Sequence, residues 1–287
     1  MTIDVSTLSP REAYGYLSNA VAPRPICFAS TVDKAGNVNL SPYSFFNVVS
    51  GDPPVMVFAP QLSGRDGSSK DTLNNVLAVP EVVINVVPFA LVEQMSLTSA
   101  AYPAGVNEFE KAGLTQVRSE VVKPPRVGEC PISFECTVDQ VISLGDGPMA
   151  GNLVLARVLR IHLREEVLDE HRKLDPRKLD LVGRMGGSDY VRAAGEALFQ
   201  IPKPTRNLGV GVNALPQDVR NSNVLTGNDL GRLGNLAELP TQAKARKTVS
   251  SQKLFWDKVG GVNPKHTFAQ RLLREGQVED AAAVLLA

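Results

Sequence analysis

Apolar residues in the first part of the chain come in short, β-branched runs broken by turn formers. "RPICFASTVD" and "VNLSPYSFFNVVS" flank "DKAGN", where Asp33, Gly36 and Asn37 predict a short hairpin loop. "PPVMVFAP" predicts a third strand, almost wholly apolar and so buried, and "EVVINVVP" a fourth. "ISFECTVDQVISL" and "GNLVLARVLRIHL" predict two long strands joined by the turn "GDGPMAG". Helical spacing is confined to single insertions. "SPREAYGYLSNAV" has Ser9 as N-cap and Pro10 at the first helical position. "KDTLNNVLAV" is a second, "LVEQMSLTSA" a weaker third, and Asn107 to Lys111 a fourth, ended by Gly113. Strands up to about Glu166, with helices inserted singly, predict a mainly β, closed antiparallel barrel with helical insertions.

After residue 200 the composition turns rich in Gly, Pro and Asn, which predicts irregular structure and short helices. The end, "KHTFAQRLLREGQVEDAAAVLLA", predicts two short helices joined at Gly276. The expected division is therefore a β domain over 1–200 and an extension over 201–287. Lys and Arg number 30 and Asp and Glu 30, so no net charge draws the chain to nucleic acid or an anionic membrane. The most apolar stretch, "VVINVVPFALV", is broken by Asn85 and Pro88 and reads as a buried strand, not a membrane span. There is no basic segment followed by an apolar core at the start, and so no expected signal peptide. Cys27, Cys130 and Cys136 are odd in number without C-x-x-C spacing, and His162, His171 and His266 are scattered. Together these predict a cytoplasmic protein with reduced thiols and no metal site.

Four stretches carry candidate chemistry. "GVGVNA" (Gly209 to Ala214) fits a dinucleotide fingerprint, but Leu215 and Pro216 follow where a long helix should hold the pyrophosphate, so its glycines read as loop residues. "GRMGGSDY" brings Arg184 and Tyr190 to either a surface turn or the rim of a site. "GRDGSSKDTLNNV" places Arg65, Ser68, Ser69, Lys70 and Thr72 at the mouth of a helix. Unpaired N–H groups and the positive end of the dipole would there favour a dianion such as a phosphate monoester. The alternative is a capped helix with Ser69 or Asp71 as N-cap and Lys70 in solvent; Asp71 weighs against an anion unless its carboxylate turns to the helix amides or to Arg65. "SPYSFFN" mixes Ser44 and Asn47 with three aromatics, which fits either partners in a neighbouring loop or the edge of a polar heterocycle.

In their order, "PRPICFASTVDKAGNVNLSPYSFFNVVSGDPP", "SSKDTLNN", "VVINVV", "YPAGVNEFEKAGL" and "GRMGGSDYV" resemble the flavin reductase-like family of FMN-binding split barrels, over about residues 10 to 200. The resemblance implies a six-stranded antiparallel Greek-key split barrel, a homodimer, and FMN (or FAD) near the dimer interface. It assigns Ser69, Lys70 and Thr72, beside Asp71, to the flavin phosphate, with Arg65 as a second cation. It places Ser30 and Thr31 on the ribityl-phosphate path and the segment Ser41, Pro42, Tyr43, Ser44 to Asn47 along the isoalloxazine edge. It puts Arg24 near the flavin and Arg184 and Tyr190 at the pocket mouth. The implied activity is an NAD(P)H:flavin oxidoreductase, supplying reduced flavin to a monooxygenase. The alternative is a protein that keeps its FMN as an electron carrier or acts directly on an organic substrate. Two features depart from the family: "GDGPMAG" lacks the histidine of the G-D-H turn that receives nicotinamide, and the minimal reductases lack residues 201–287, an extension expected to pack on the barrel or on the dimer.

Overall fold

The computed structural model describes residues 1–203, 208–256 and 263–287. Residues 204–207, part of the Gly/Pro/Asn-rich stretch, lie outside them. The described chain forms two compact units, Met1–Phe199 and Gln200–Ala287.

The first unit is built on a seven-stranded antiparallel sheet. Its strands are β1 (Cys27–Val32), β2 (Val38–Tyr43), β3 (Phe46–Gly51), β4 (Pro54–Phe58), β5 (Glu81–Val86), β6 (Ile132–Ser143) and β7 (Asn152–Leu163), in the spatial order β2-β1-β5-β6-β7-β4-β3. The run expected as one strand, "VNLSPYSFFNVVS", is split: β2 pairs with β1 at one edge, and β3 with β4 at the other. Only Ser44 and Phe45 join them. A flat sheet of this size would hold its edges roughly 29 Å apart at ~4.8 Å per step, whereas the three Cα steps from Tyr43 to Phe46 span at most about 11 Å. The sheet therefore rolls until its edges meet. The result is a rolled seven-stranded sheet with an open seam between β2 and β3, where the pattern predicts a closed barrel and the resemblance a split barrel of six strands. Pro42 is tolerated because β2 is an edge strand, where a missing N–H costs no ladder bond.

Alternation along the strands feeds two cores. Cys27, Ala29, Tyr43, Met56, Phe58, Val82, Ile84, Cys136, Val154 and Ala156 bury one face, together with Leu73 and Val76 of helix α2 (Asp71–Ala78). Ile26, Phe28 and Leu40 bury the other against Met95 of α3 (Val92–Leu97) and Phe109 of α4 (Glu108–Ala112). β4, expected to be buried throughout, is half-buried: Met56 and Phe58 point inward, while Val55 and Val57 are only partly covered. Asn85 interrupts an apolar strand for a structural reason. Its Oδ1 accepts from Ser133 Oγ at 2.7 Å and from the Val127 amide at 3.0 Å, tying a loop to the sheet. Helix α1 (Pro10–Ala20) starts on a capping box between Ser9 and Glu12. A small sheet of Arg24–Pro25, Leu181–Arg184 and Tyr190–Ala193 completes the unit.

The second unit is helical, with α5 (Gly227–Gly234), α6 (Gln242–Trp256), α7 (Pro264–Arg274) and α8 (Val278–Leu286). Its core joins Leu215, Val219, Leu233, Phe268, Leu272, Leu273 and Leu285. Gly276 turns the chain between α7 and α8 at φ 81°. The Gly209–Ala214 glycines serve packing: a Cβ on Gly209 would fall 2.4 Å from the Gly234 carbonyl. The three cysteines are buried and unpaired. Among the described residues no helix is long and apolar enough to cross a membrane, and no group of three or more His, Cys, Asp and Glu side chains could hold a metal.

Candidate functional site

The strongest concentration of unused polar groups lies where α2 meets the sheet. Lys70 is the N-cap residue of α2, and no side chain caps that helix. The amides of Leu73 and Asn74 bond back to the Lys70 carbonyl, but those of Asp71 and Thr72 find no acceptor in the described chain. Lys70 makes no ion pair among the described residues, and its ammonium lies 5.8 Å from the centroid of the Tyr43 ring. The side chain as a whole remains exposed, yet protein atoms crowd its ammonium, and this desolvation lowers its pKa. A crowded cation without a counterion, set at a helix N-terminus, favours an incoming anion.

Beneath Lys70 is a layer of buried amides and hydroxyls. Asn39 Nδ2 donates to Thr72 Oγ1 at 2.9 Å and to Thr31 Oγ1 at 3.3 Å, and Asn75 Nδ2 donates to Thr31 Oγ1 at 3.1 Å. Asn39, Ser41 and Tyr43 alternate along β2 and so share one face with Thr31. The Tyr43 hydroxyl is buried without a partner, and burial raises its pKa; the hydroxyls of Thr72 and Ser41 oppose that shift, but neither completes a hydrogen bond of normal geometry. Asn39 and Asn75 were not anticipated as site residues; the two-residue spacing of Asn39, Ser41 and Tyr43 was the available signal. Ser30 and Thr31, expected on a common path, point to opposite faces of β1. Thr31 joins this layer, while Ser30, on the Phe28 face, has a fully buried hydroxyl with no partner.

The loop before α2 is closed on itself. Its ends are pinned by the bond from the Ser63 amide to the Ser68 carbonyl, 2.8 Å. Asp66 accepts from the amide and hydroxyl of Ser68, which bring its pKa down to about 2. Among the described residues Arg65, exposed at the tip, makes no ion pair, with Asp71 or otherwise, although its charge helps lower the Asp66 pKa, and Ser69 is exposed without a hydrogen-bond partner. The "GDGPMAG" turn packs on this loop: Leu62 exchanges backbone bonds with Ala150 and Met149 at 2.9 and 3.2 Å, and a Cβ on Gly64 would lie 3.2 Å from Met149 Cγ.

Arg24 is committed elsewhere. Its guanidinium donates to the carbonyls of Ser18, of Val21 at 2.6 Å and of Met185 at 2.7 Å, closing the C-terminal end of α1 onto a distant loop. Only Nε lacks a partner, and the group lies 5.6 Å from the centroid of the Phe45 ring. Arg184 and Tyr190 are likewise occupied with each other: the guanidinium donates to the Tyr190 hydroxyl and the Gly187 carbonyl and stacks 4.5 Å from the ring centroid. Asn47 is exposed on β3, its Oδ1 spent on the Val48 amide at 2.8 Å, leaving its NH₂ free. Ser44, in the link between the sheet edges, has no hydrogen-bond partner among the described residues.

The groups left free on one side — Lys70, the Asp71 and Thr72 amides, Ser69 and the Tyr43 hydroxyl — are donors, which suits the oxygens of a phosphate ester. Residues 20–179 match the sequence profile described as a flavin reductase like domain. An uncharacterized protein of Aquifex aeolicus is 39% identical over 189 residues, 66% of this chain and 93% of its own. The structure of nitrilotriacetate monooxygenase component B from Bacillus cereus superposes with a TM-score of 0.65 at 31% identity, over 70% of this chain and 98% of that one. That of Pseudomonas fluorescens 2-nitrobenzoate 2-nitroreductase does so with a TM-score of 0.61 at 28% identity, over 70% and 96%.

Proposed function

Because the chain belongs to the flavin reductase-like family, we propose that it is a flavin-dependent oxidoreductase that holds FMN at the mouth of α2 and takes a hydride from NADH or NADPH. The observation that carries this reading is the unpaired, desolvated Lys70 at an uncapped helix start beside the orphaned Tyr43 hydroxyl. Lys70, Ser69 and the amides of Asp71 and Thr72 hold the ester oxygens. Asn39 and Asn75 fix Thr72 and Thr31 behind them. Ser44 and the Asn47 amide offer donors to the edge of a ring lying along the Ser41–Asn47 segment. When bound, the flavin supplies the two-electron chemistry, so the chain needs to position the reactants and exclude water, with no acid–base dyad. The test is an absorbance spectrum of the purified protein, then anaerobic titration with each nicotinamide. Oxidation of neither NADH nor NADPH above the free-flavin background would overturn the reading.

A second reading, that the protein keeps FMN bound and acts directly on an organic substrate or as an electron carrier, draws on the 145–151 turn, where Gly147 stands in place of a histidine. FMN lost on gel filtration would exclude it. The similarity to a monooxygenase component B supports a role in supplying reduced flavin to a separate monooxygenase. We also propose a homodimer. Leu159, Ile161 and Leu163 are 51%, 55% and 42% exposed along one edge of the long hairpin, and Val48 and Val49 are exposed on β3. Such grouped apolar exposure marks an interaction surface, and sedimentation of a monomer at micromolar concentration would count against it.

A further inference from the structure

A cleft of ≈ 340 Å³ opens between α1 and the 147–150 turn, lined chiefly by Pro10, Tyr14, Leu17, Phe45, Pro148 and Met149. Its size lies near the lower end of small-molecule sites, about 300–1,000 Å³. None of its lining residues is charged. Its polar side chains are the Tyr14 hydroxyl and the Gln61 amide, which gives one N–H to the Met149 carbonyl at 3.2 Å. Pro10, Tyr14 and Leu17 recur at helical spacing, and a helix ordinarily buries such a stripe in the core. Here the stripe lines the cleft, with Leu17 still 64% exposed.

The walls are fixed in place. The capping box starts α1 and Arg24 ties down its end. The Leu62 bonds to Met149 and Ala150 hold the turn, in which Met149 takes the left-handed region at φ 67°. Tyr14 meets Phe45 edge-on, with centroids 6.0 Å apart and planes at 61°.

We propose that this cleft binds a small, uncharged molecule of one or two aromatic rings. No charged side chain lines it; the cation beside its wall, Arg24, lies 5.6 Å from the Phe45 centroid and is buried with its Nη groups spent on carbonyls, so an ionised occupant gains little, whereas the Tyr14 and Phe45 rings and the Met149 thioether favour a flat π-system. Phe45 belongs to the Ser41–Asn47 segment, so the occupant lies against the stretch assigned to the flavin edge and is its organic redox partner. That role rests on the flavin reading; the binding does not.

The test is calorimetric titration of the full chain, as purified and after FMN addition, with nitrobenzene and with 4-nitrobenzoate, which differ by one carboxylate. Nitrobenzene should bind at least ~10-fold more tightly. Ala13→Trp, which fills the cleft, should abolish that binding with the far-UV circular dichroism unchanged. Leu17→Lys, at an exposed position that folding tolerates, should shrink the preference severalfold by giving the carboxylate a partner. Equal affinity for the two probes in the native protein, or a preference that Leu17→Lys leaves unmoved, overturns the proposal. Nitrobenzene binding by a protein that takes up no flavin would defeat the flavin reading alone. Flavin uptake without nitrobenzene binding would defeat only the cleft.

Discussion

The Lys70 ammonium stands over the Tyr43 ring, 5.8 Å from its centroid, with no carboxylate to pair with it among the described residues. A cation held this way is stabilised weakly by the ring and strongly by any anion that docks. If that anion is the flavin ester, Lys70→Met should weaken FMN binding about 10- to 100-fold, equivalent to the ~1.5–3 kcal/mol of a hydrogen bond to a charged group. Riboflavin, which has no phosphate, should bind wild type and variant alike. Fluorescence titration with both ligands separates the cases, and equal losses would move Lys70 from the ester to the ring.

Glu108 closes the outer edge of β2, its buried carboxylate accepting from the Leu40 amide at 2.9 Å. Burial pushes its pKa above the ordinary 4.5; the Leu40 bond opposes the shift and the nearby Asp71 charge adds to it. The folded state therefore retains a proton that the unfolded chain releases. Glu108 favours folding most below 4.5 and less as pH rises through its folded value. Glu108→Gln keeps an acceptor for Leu40 without the charge. Its urea midpoint should gain on wild type as pH rises from 4.5 through the raised folded value, and parallel curves would show that the carboxylate is not strained.

The parts of this structure legible in the sequence are those set by local chemistry. Asn107 and Gly113 bracket α4 because an Asx cap and a left-handed glycine act within one turn. The start of α2 is legible only in part: the Lys70–Thr72 stretch marks it, but neither Ser69 nor Asp71 caps the helix, and Lys70 takes the N-cap position with no side-chain bond. The split of "SPYSFFN" between two sheet edges is not legible, because only closure of the whole sheet demands it. Helix α6 also escapes the pattern: Lys244, Arg246 and Lys247 leave it without an apolar stripe to read. Arg24 looks like a ligand contact in sequence, and its carbonyl partner Met185 lies 161 residues away. Strand alternation alone separates Ser30 from Thr31, a distinction that motif matching passes over.

The three carbonyl bonds of Arg24 make it the strap between α1 and the 185–189 loop. That loop sits close enough that a Cβ on Gly186 would fall 1.8 Å from Asn19 Oδ1. Arg24→Met keeps an unbranched stem and removes the guanidinium, leaving the carbonyls of Ser18, Val21 and Met185 without it. The first unit should lose at least about 2 kcal/mol, and hydrogen exchange should quicken across 10–21 and 185–189 before the main sheet opens. FMN affinity lost while α1 keeps its protection would instead make Arg24 a flavin contact.

The second unit carries its own acid sensitivity. His266, in the first turn of α7, is nearly wholly buried, with Nδ1 2.8 Å from Ser222 Oγ. Ser222 Oγ also accepts the amides of Val224 and Leu225, so its proton is free to point at the imidazole. Burial pushes the His266 pKa below 6.5; the Asp218 carboxylate, 3.9 Å from Nε2, opposes this and Lys265 reinforces it. The folded form holds the neutral ring, so its contribution is complete above 6.5 and is lost as pH falls through the depressed folded value. Amide protection over 263–286 should decline as the medium is acidified below 6.5, ahead of the β-sheet unit. His266→Gln, which can still accept from Ser222 but cannot gain a proton, should flatten that decline. If the variant declines alongside wild type, the acid sensitivity comes from the carboxylates around α7 and not from the imidazole.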